Sequence, residues 1–255
     1  MLLEARHLTK TYAGVTSLAD VSLDLRQGET LGVVGPSGSG KSTLARTIAR
    51  LLKPDSGAIS FAGQDWLALQ GRDLRRARAG MQMVFQDPGA SFHPQAVVGD
   101  AIADALRLHR IAPRSDWPDE TARLLDQVGL PADFAIRRVA ELSGGQRQRV
   151  AIARAIATKP KLVILDEAVS ALDASVRARI LDLLVRIQTE SAVSYLFVSH
   201  DLAVVRMIAH RTAVMDQGRI VEIGPTGQLI TAPQTAITGD LIAAIPKLHP
   251  ERVPS

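Results

Sequence analysis

TLGVVGPSGSGKSTLARTIARLL, residues 30–52, decides how the rest of the chain is read. TLGVVG (30–35) has the apolar continuity of a buried strand, and KSTLARTIARLL (41–52) has the spacing of an amphipathic helix. Between them GPSGSGKS (35–42) satisfies G-x4-G-K-S in the strand–loop–helix setting that gives the pattern its meaning. Gly35 and Pro36 open a tight turn. The backbone N–H groups of Ser37, Gly38, Ser39, Gly40, Lys41, Ser42 and Thr43 are then expected to converge on a phosphate, helped by the helix dipole. Lys41 would bridge the β- and γ-phosphates of a nucleotide as a point charge, and Ser42 would offer its hydroxyl to Mg²⁺.

Outward from that loop, MQMVFQ (81–86), KLVILD (161–166) and SYLFVS (194–199) read as further strands with helical stretches between them. That alternation predicts an α/β fold with a mostly parallel sheet. Ligands of such sheets gather at the carboxyl ends of the strands. Those ends are Gly35, Gln86, Asp166-Glu167 and Ser199-His200. Asp166 closes the apolar run LVIL, so its carboxylate needs a cation or a hydrogen bond, and a place on Mg²⁺, mainly through water, supplies one. Glu167 could orient or deprotonate an attacking water. Singly these residues say little, because strand ends often carry an acid and a lone histidine is more often structural. Their convergence on one phosphate loop selects the functional reading.

A second glycine turn stands in ELSGGQRQRVAIARA (141–155) and lacks a lysine. Ser143 and Gln146 fit the capping box S-x-x-Q at a helix start. The box does not explain Gly144 and Gly145, since each glycine costs about 1 kcal/mol against alanine within a helix. Close approach of another body to this helix N-terminus would. A helix feeding a parallel strand begins on the nucleotide edge of the sheet. A two-fold, head-to-tail pair could then place each SGGQ turn over the other subunit's nucleotide.

Residues 88–157 lose the strand signal and are broken by Pro113, Pro118 and Pro131. They are expected to form a helical subdomain inserted between core segments 1–87 and 158–225. EARHLTKTY and SLADVSLDLRQGET (4–30) look like a β-meander, and RTAVMDQGRIVEIG (211–224) like a hairpin turning at Gln217-Gly218. Residues 226–255 would be a short extension, a helix or a strap. With 255 residues and 46% hydrophobic content the chain can build a full core. Its net charge of +4 is a weak basic bias, and the run RDLRRAR (72–78) reads as a solvated helix. The absence of cysteine excludes disulfides, thiolate catalysis and Cys-ligated clusters. No apolar run approaches the ~20 residues that cross a bilayer. A cytosolic chain that meets a membrane only through a partner is expected. The N-K-x-D element of guanine-binding GTPases is excluded, because the sequence contains no asparagine.

In order along the chain stand Tyr12, the loop 35–42, Gln86 in VFQDP, LSGGQ (142–146), LVILDE (162–167), SALD (170–173) and His200 in VSHD. On these motifs, over residues 2–225, the chain resembles the ATP-binding subunits of ABC transporters. The resemblance implies a P-loop NTPase (RecA-like) core with a parallel sheet, an N-terminal antiparallel β subdomain and an inserted α-helical subdomain. It implies that Tyr12 stacks on adenine and that Gln86 contacts Mg²⁺ and the lytic water. It makes Glu167 the catalytic carboxylate and His200 the γ-phosphate switch, sets Asp173 at a subunit boundary, and gives residues 143–146 to the partner's ATP. MQMVFQDPGASFHP and SGGQRQRVAIARAIATKPKLVILDEAVSALD are most similar to the ATPases of oligopeptide, dipeptide and nickel importers. Ala168 and His93 depart from the usual DEP and SLNP of that subgroup, and the tail TAITGDLIAAIPKLHP keeps only the end of its pattern. Peptide import is implied, with nickel or a metal chelate as the alternative. The implied partners are two integral membrane permeases, a second ATP-binding subunit that is a paralogue rather than a copy, and indirectly an extracytoplasmic solute-binding protein. The implied place is the cytoplasmic face of the inner membrane. A soluble ABC ATPase acting on nucleic acid or ribosomes is the reading from another class; its usual second nucleotide domain or long insertion is not found in this sequence.

Overall fold

Three fully buried strands build the centre of the protein, whose computed structural model describes residues 1–245. β3 (Thr30–Val34), β7 (Leu162–Asp166) and β8 (Ser194–Val198), taking their numbers from chain order, are buried at every position. Both faces of these strands are covered, which is the condition under which a parallel sheet is stable. With β6 (Met81–Val84), β9 (Arg211–Asp216) and β10 (Arg219–Pro225) they form a six-stranded sheet ordered β10-β9-β3-β8-β7-β6. Every pairing from β9 to β6 is parallel, and β10 closes one edge antiparallel to β9. The hairpin expected at Gln217-Gly218 is present, both residues having positive φ.

The N-terminal strands β1 (Leu3–Tyr12) and β2 (Val15–Leu25) do pair antiparallel, but they are not a meander. β4 (Ser56–Phe61) and β5 (Gln64–Asp65) return from later in the chain, giving the order β2-β1-β4-β5. No sequence signal had marked residues 56–65 as strand. This second sheet packs on one face of the central sheet around α1 (Lys41–Ile48), sharing Leu8, Leu18, Leu44, Ile48, Ile164 and Leu196 in one apolar cluster. α1 stops four residues before the expected Leu52. α2 (Gly71–Ala77) carries most of the arginine run and has no buried residue, as a solvated helix should.

Between Pro88 and Ala157 the chain makes helices and 3₁₀ turns, with a single bridge from Val97 to Arg138. Its helices are α3 (Val98–His109), α4 (Trp117–Gln127) and α5 (Gly144–Ile156). The prolines act as starters here. Pro118 sits in the first turn of α4, while Pro113 and Pro131 precede 3₁₀ turns. The apolar residues of this segment are continuous with the far face of the central sheet and with α6 (Ala174–Ser191) and α7 (Leu202–Val205). The extension folds as two helices, α8 (Thr226–Thr231) and α9 (Ala236–Ala243), and its last expected part, 246–255, lies outside the described residues.

Candidate functional site

β3 delivers the glycine loop, and α1 begins where the loop ends. Gly40 caps α1 at φ 100°, and a Cβ there would lie 2.3 Å from the Ser17 carbonyl oxygen of β2. Only glycine gives both the left-handed turn and the space for that strand. Beside the loop is a cleft of about 370 Å³ lined by Ser17, Ser37, Gly38, Gly40, Lys41, Ser42, Thr43, Gln86 and Glu167. Gly35, Pro36 and Ser39 belong to the loop but do not line the cleft. The Lys41 ammonium donates to the carbonyls of Gly35 (2.9 Å) and Pro36 (2.8 Å). Burial pushes its pKa down, against the opposing pull of the Glu167 and Asp166 carboxylates.

Asp166, the last residue of β7, is almost wholly buried and accepts a 2.8 Å hydrogen bond from Ser42 Oγ on its Oδ1. Its Oδ2 is 3.7 Å from Arg46 Nε. Desolvation raises the Asp166 pKa, the Ser42 hydrogen bond and Arg46 oppose it, and Glu167 adds to the rise. Glu167 itself stands at φ 49°, its N–H donating to the Val198 carbonyl at 3.0 Å. A left-handed non-glycine residue is strained and persists where its surroundings impose it. The twist turns its carboxylate toward two side chains from other strand ends. Gln86 Nε2 donates to Glu167 Oε2 at 3.1 Å, and His200 Nδ1 lies 3.4 Å from the same oxygen. Gln86, Asp166, Glu167 and His200 thus meet at one edge of the sheet, although Gln86 lies two residues past the end of β6 rather than in the expected strand.

Ser42, Asp166 and Gln86 present hard oxygens at this edge, the donor chemistry that suits Mg²⁺. No group of three or more His, Cys, Asp or Glu residues able to hold a metal occurs among the described residues. Such a sparse set fits Mg²⁺, which ordinarily takes one or two carboxylates and completes its shell with water and substrate phosphates.

The other expected residues lie apart from this cleft. Tyr12 is half-exposed at the end of β1, with Lys10 Nζ 5.3 Å from its ring centre, on the hairpin that also carries Ser17. Ser143, Gly144, Gly145 and Gln146 do not line it. The capping box is formed: Ser143 N–H donates to Gln146 Oε1 at 2.9 Å and Gln146 N–H to Ser143 Oγ at 3.3 Å. A Cβ on Gly145 would lie 2.5 Å from Val176 Cγ1 of α6, so packing within the chain also calls for glycine there. On Gly144 a Cβ would meet only Leu172, at an ordinary 3.7 Å. Asp173 caps α6, accepting from Val176 N–H (2.9 Å) and Ser175 Oγ (2.8 Å), bonds that hold its carboxyl below the usual range.

Ser17 and Arg46 were missed from sequence. Ser17 Oγ donates to Thr43 Oγ1 at 2.9 Å, a contact created by β2 folding over the loop, with no local signal. Arg46 did have one, standing four residues after Ser42 and so on its face of α1.

Against known proteins, residues 18–170 match the family model described as ABC transporter. The chain is 47% identical over 245 residues to the glutathione import ATP-binding protein GsiA of Escherichia coli (strain K12), and equally to that of Shigella sonnei (strain Ss046). The match covers 96% of this chain and 39% of each relative, so the chain spans about two-fifths of their length. Among solved structures, cbiO1 from Clostridium perfringens, described as part of the ABC transporter complex cbiONQ, superposes with a TM-score of 0.81. It shares 28% identity over 91% of both chains. An ATP-binding cassette solved as a dimer in a post-hydrolysis state with ADP and Pi superposes at 0.79, with 28% identity over 88% of this chain and 99% of that one. By motif, fold and similarity together, this chain belongs to the ABC transporter family.

Proposed function

We propose that the chain hydrolyses ATP to drive an importer of peptides or peptide-like solutes, working as one of two ATP-binding subunits beneath a pair of membrane permeases. The observation that carries the hydrolytic part is the meeting of Gln86, Glu167 and His200 beside the glycine loop, whose Ser42 is bonded to Asp166. The loop N–H groups and Lys41 bind the phosphates, the ammonium exchanging the Gly35 and Pro36 carbonyls for phosphate oxygens. Ser42 and, through water, Asp166 would hold Mg²⁺ with Gln86, and the ion supplies charge neutralisation at the phosphate oxygens. Glu167 receives the proton of the attacking water or orients it, and His200, beside the same carboxylate oxygen, would face the γ-phosphate. Tyr12 stacks on adenine. Ser143, Gly144, Gly145 and Gln146 contact the nucleotide of the second subunit, with Asp173 at the boundary. A related cassette solved as a dimer supports this pairing.

The organisation that serves this reading is a core of 1–87 and 158–225, a helical lobe of 88–157 and a C-terminal extension from 226. Between lobe and core runs a groove of about 690 Å³, walled by Leu51, Leu74, Met83, Phe85 and Leu108. Leu51 and Leu108 are 52% and 61% exposed, an apolar lip that suits a membrane subunit's cytoplasmic segment. No helix among the described residues is long and apolar enough to cross a membrane. Similarity to a protein named for glutathione import supports the peptide class, and an extracytoplasmic solute-binding protein would deliver the solute. The test is Glu167→Gln. ATP affinity should stay within about twofold while turnover falls at least a hundredfold, the scale of a lost general base. Turnover at the wild-type rate would refute the assignment.

A further inference from the structure

Two loops hold the catalytic carboxylate and the histidine, and one arginine ties them together. Arg177 lies in the first turns of α6. Its Nη2 donates to the Leu172 carbonyl at 3.0 Å, and its Nη1 reaches Asp201 Oδ2 at 3.4 Å. Its Nε is buried without a hydrogen-bond partner. Asp201 directly follows His200 and is held on both sides. Its N–H donates to Ser199 Oγ at 3.0 Å, and its Oδ1 accepts from the N–H groups of Ala203 and Val204, capping α7. His200 is therefore suspended between two anchored neighbours. On the other loop, the Ser170 N–H and Oγ both donate to the Glu167 carbonyl. The same loop and the start of α6 abut the SGGQ turn, with Leu172 over Gly144 and Val176 against Gly145.

A part-exposed ion pair adds little to stability, and an orphaned buried donor subtracts from it. Arg177 is thus poorly explained as a stabilising residue. We infer that Arg177 is a positioning residue: it sets His200 against Glu167 by fastening Asp201 to the loop after β7, and so links the SGGQ turn to this chain's own hydrolytic carboxylate. This rests on the site reading proposed above. A nucleotide of the second subunit pressing on Gly144 would move Leu172, and Arg177 would carry that displacement to Asp201 and His200.

The experiment compares Arg177→Ala, Asp201→Asn and the double variant in the full chain. Asparagine also caps helices, so Asp201→Asn removes the charge while α7 keeps its start. Each single variant should lower kcat about ten- to a hundredfold, the scale of a small misplacement of reacting groups, with ATP affinity within about twofold. The double variant should be no slower than the slower single one, because both break one link. The ring proton signal of His200, assigned with His200→Ala, should shift in both single variants. Wild-type kcat, losses that multiply, or an unmoved His200 signal would overturn the inference. If Glu167→Gln also keeps its turnover, the failure lies with the site reading instead.

Discussion

At the scale of the residue, the two glycines of the SGGQ turn separate cleanly. Gly145→Ala forces a methyl to 2.5 Å from Val176 Cγ1, and should destabilise the fold by about 1–3 kcal/mol, as overpacking does. Gly144→Ala has room, and should leave the melting temperature unchanged or raise it slightly through helix propensity. Its cost should appear only when ATP draws two subunits together, as weaker ATP-dependent association by light scattering in the Glu167→Gln background. Equal thermal destabilisation by both changes would contradict this division. Sequence had shown that these glycines need a reason but could not divide the reason between them. Val176 is thirty-one positions away, and its approach to Gly145 exists only after α5 and α6 pack.

Among the elements, caps and clasps do the local fixing. Ser143 and Asp173 cap α5 and α6, and the first of these was legible as S-x-x-Q. The clasp on the C-terminal extension was not. Glu222 of β10 accepts from the N–H groups of Gln234 and Thr235 and from the hydroxyls of Thr235 and Thr238, the last at 2.6 Å. These bonds bind α9 to the edge strand. Partial burial pushes the Glu222 pKa up, and the hydrogen bonds from Thr238, Gln234 and Thr235 outweigh it, leaving a net depression. A depressed acid stabilises the folded state above its unfolded pKa and loses that contribution as pH falls through the folded value. Amide exchange in α9 should therefore quicken below the usual glutamate range, ahead of the central sheet. In Glu222→Gln it should already be fast at neutral pH and respond little to acid. Unchanged α9 protection across that range would rule out the clasp.

For the whole molecule, the lobe and the core share one apolar cluster and leave a groove between them. Leu51→Asp or Leu108→Asp places a charge on the exposed lip, where it should alter stability by no more than about 0.5 kcal/mol. ATP affinity should hold, while co-purification with membrane permeases and transport-coupled hydrolysis should be lost. Retained assembly would move the docking surface elsewhere. Sequence by itself determined the glycine loop, the central parallel strands, the helical segment and the residues that meet at the carboxyl edge of the sheet. Each rests on local spacing or on the rule that parallel strands present their carboxyl ends together. Only tertiary structure decided that β4 and β5 complete the first sheet and that Ser17 bends over Thr43. The same holds for the Gln86 and His200 contacts with one oxygen of Glu167, for the packing of Gly145 on Val176, and for the Arg177 link between two loops. Those contacts join residues far apart in the chain, and their distances are set by how layers pack rather than by any repeat along it.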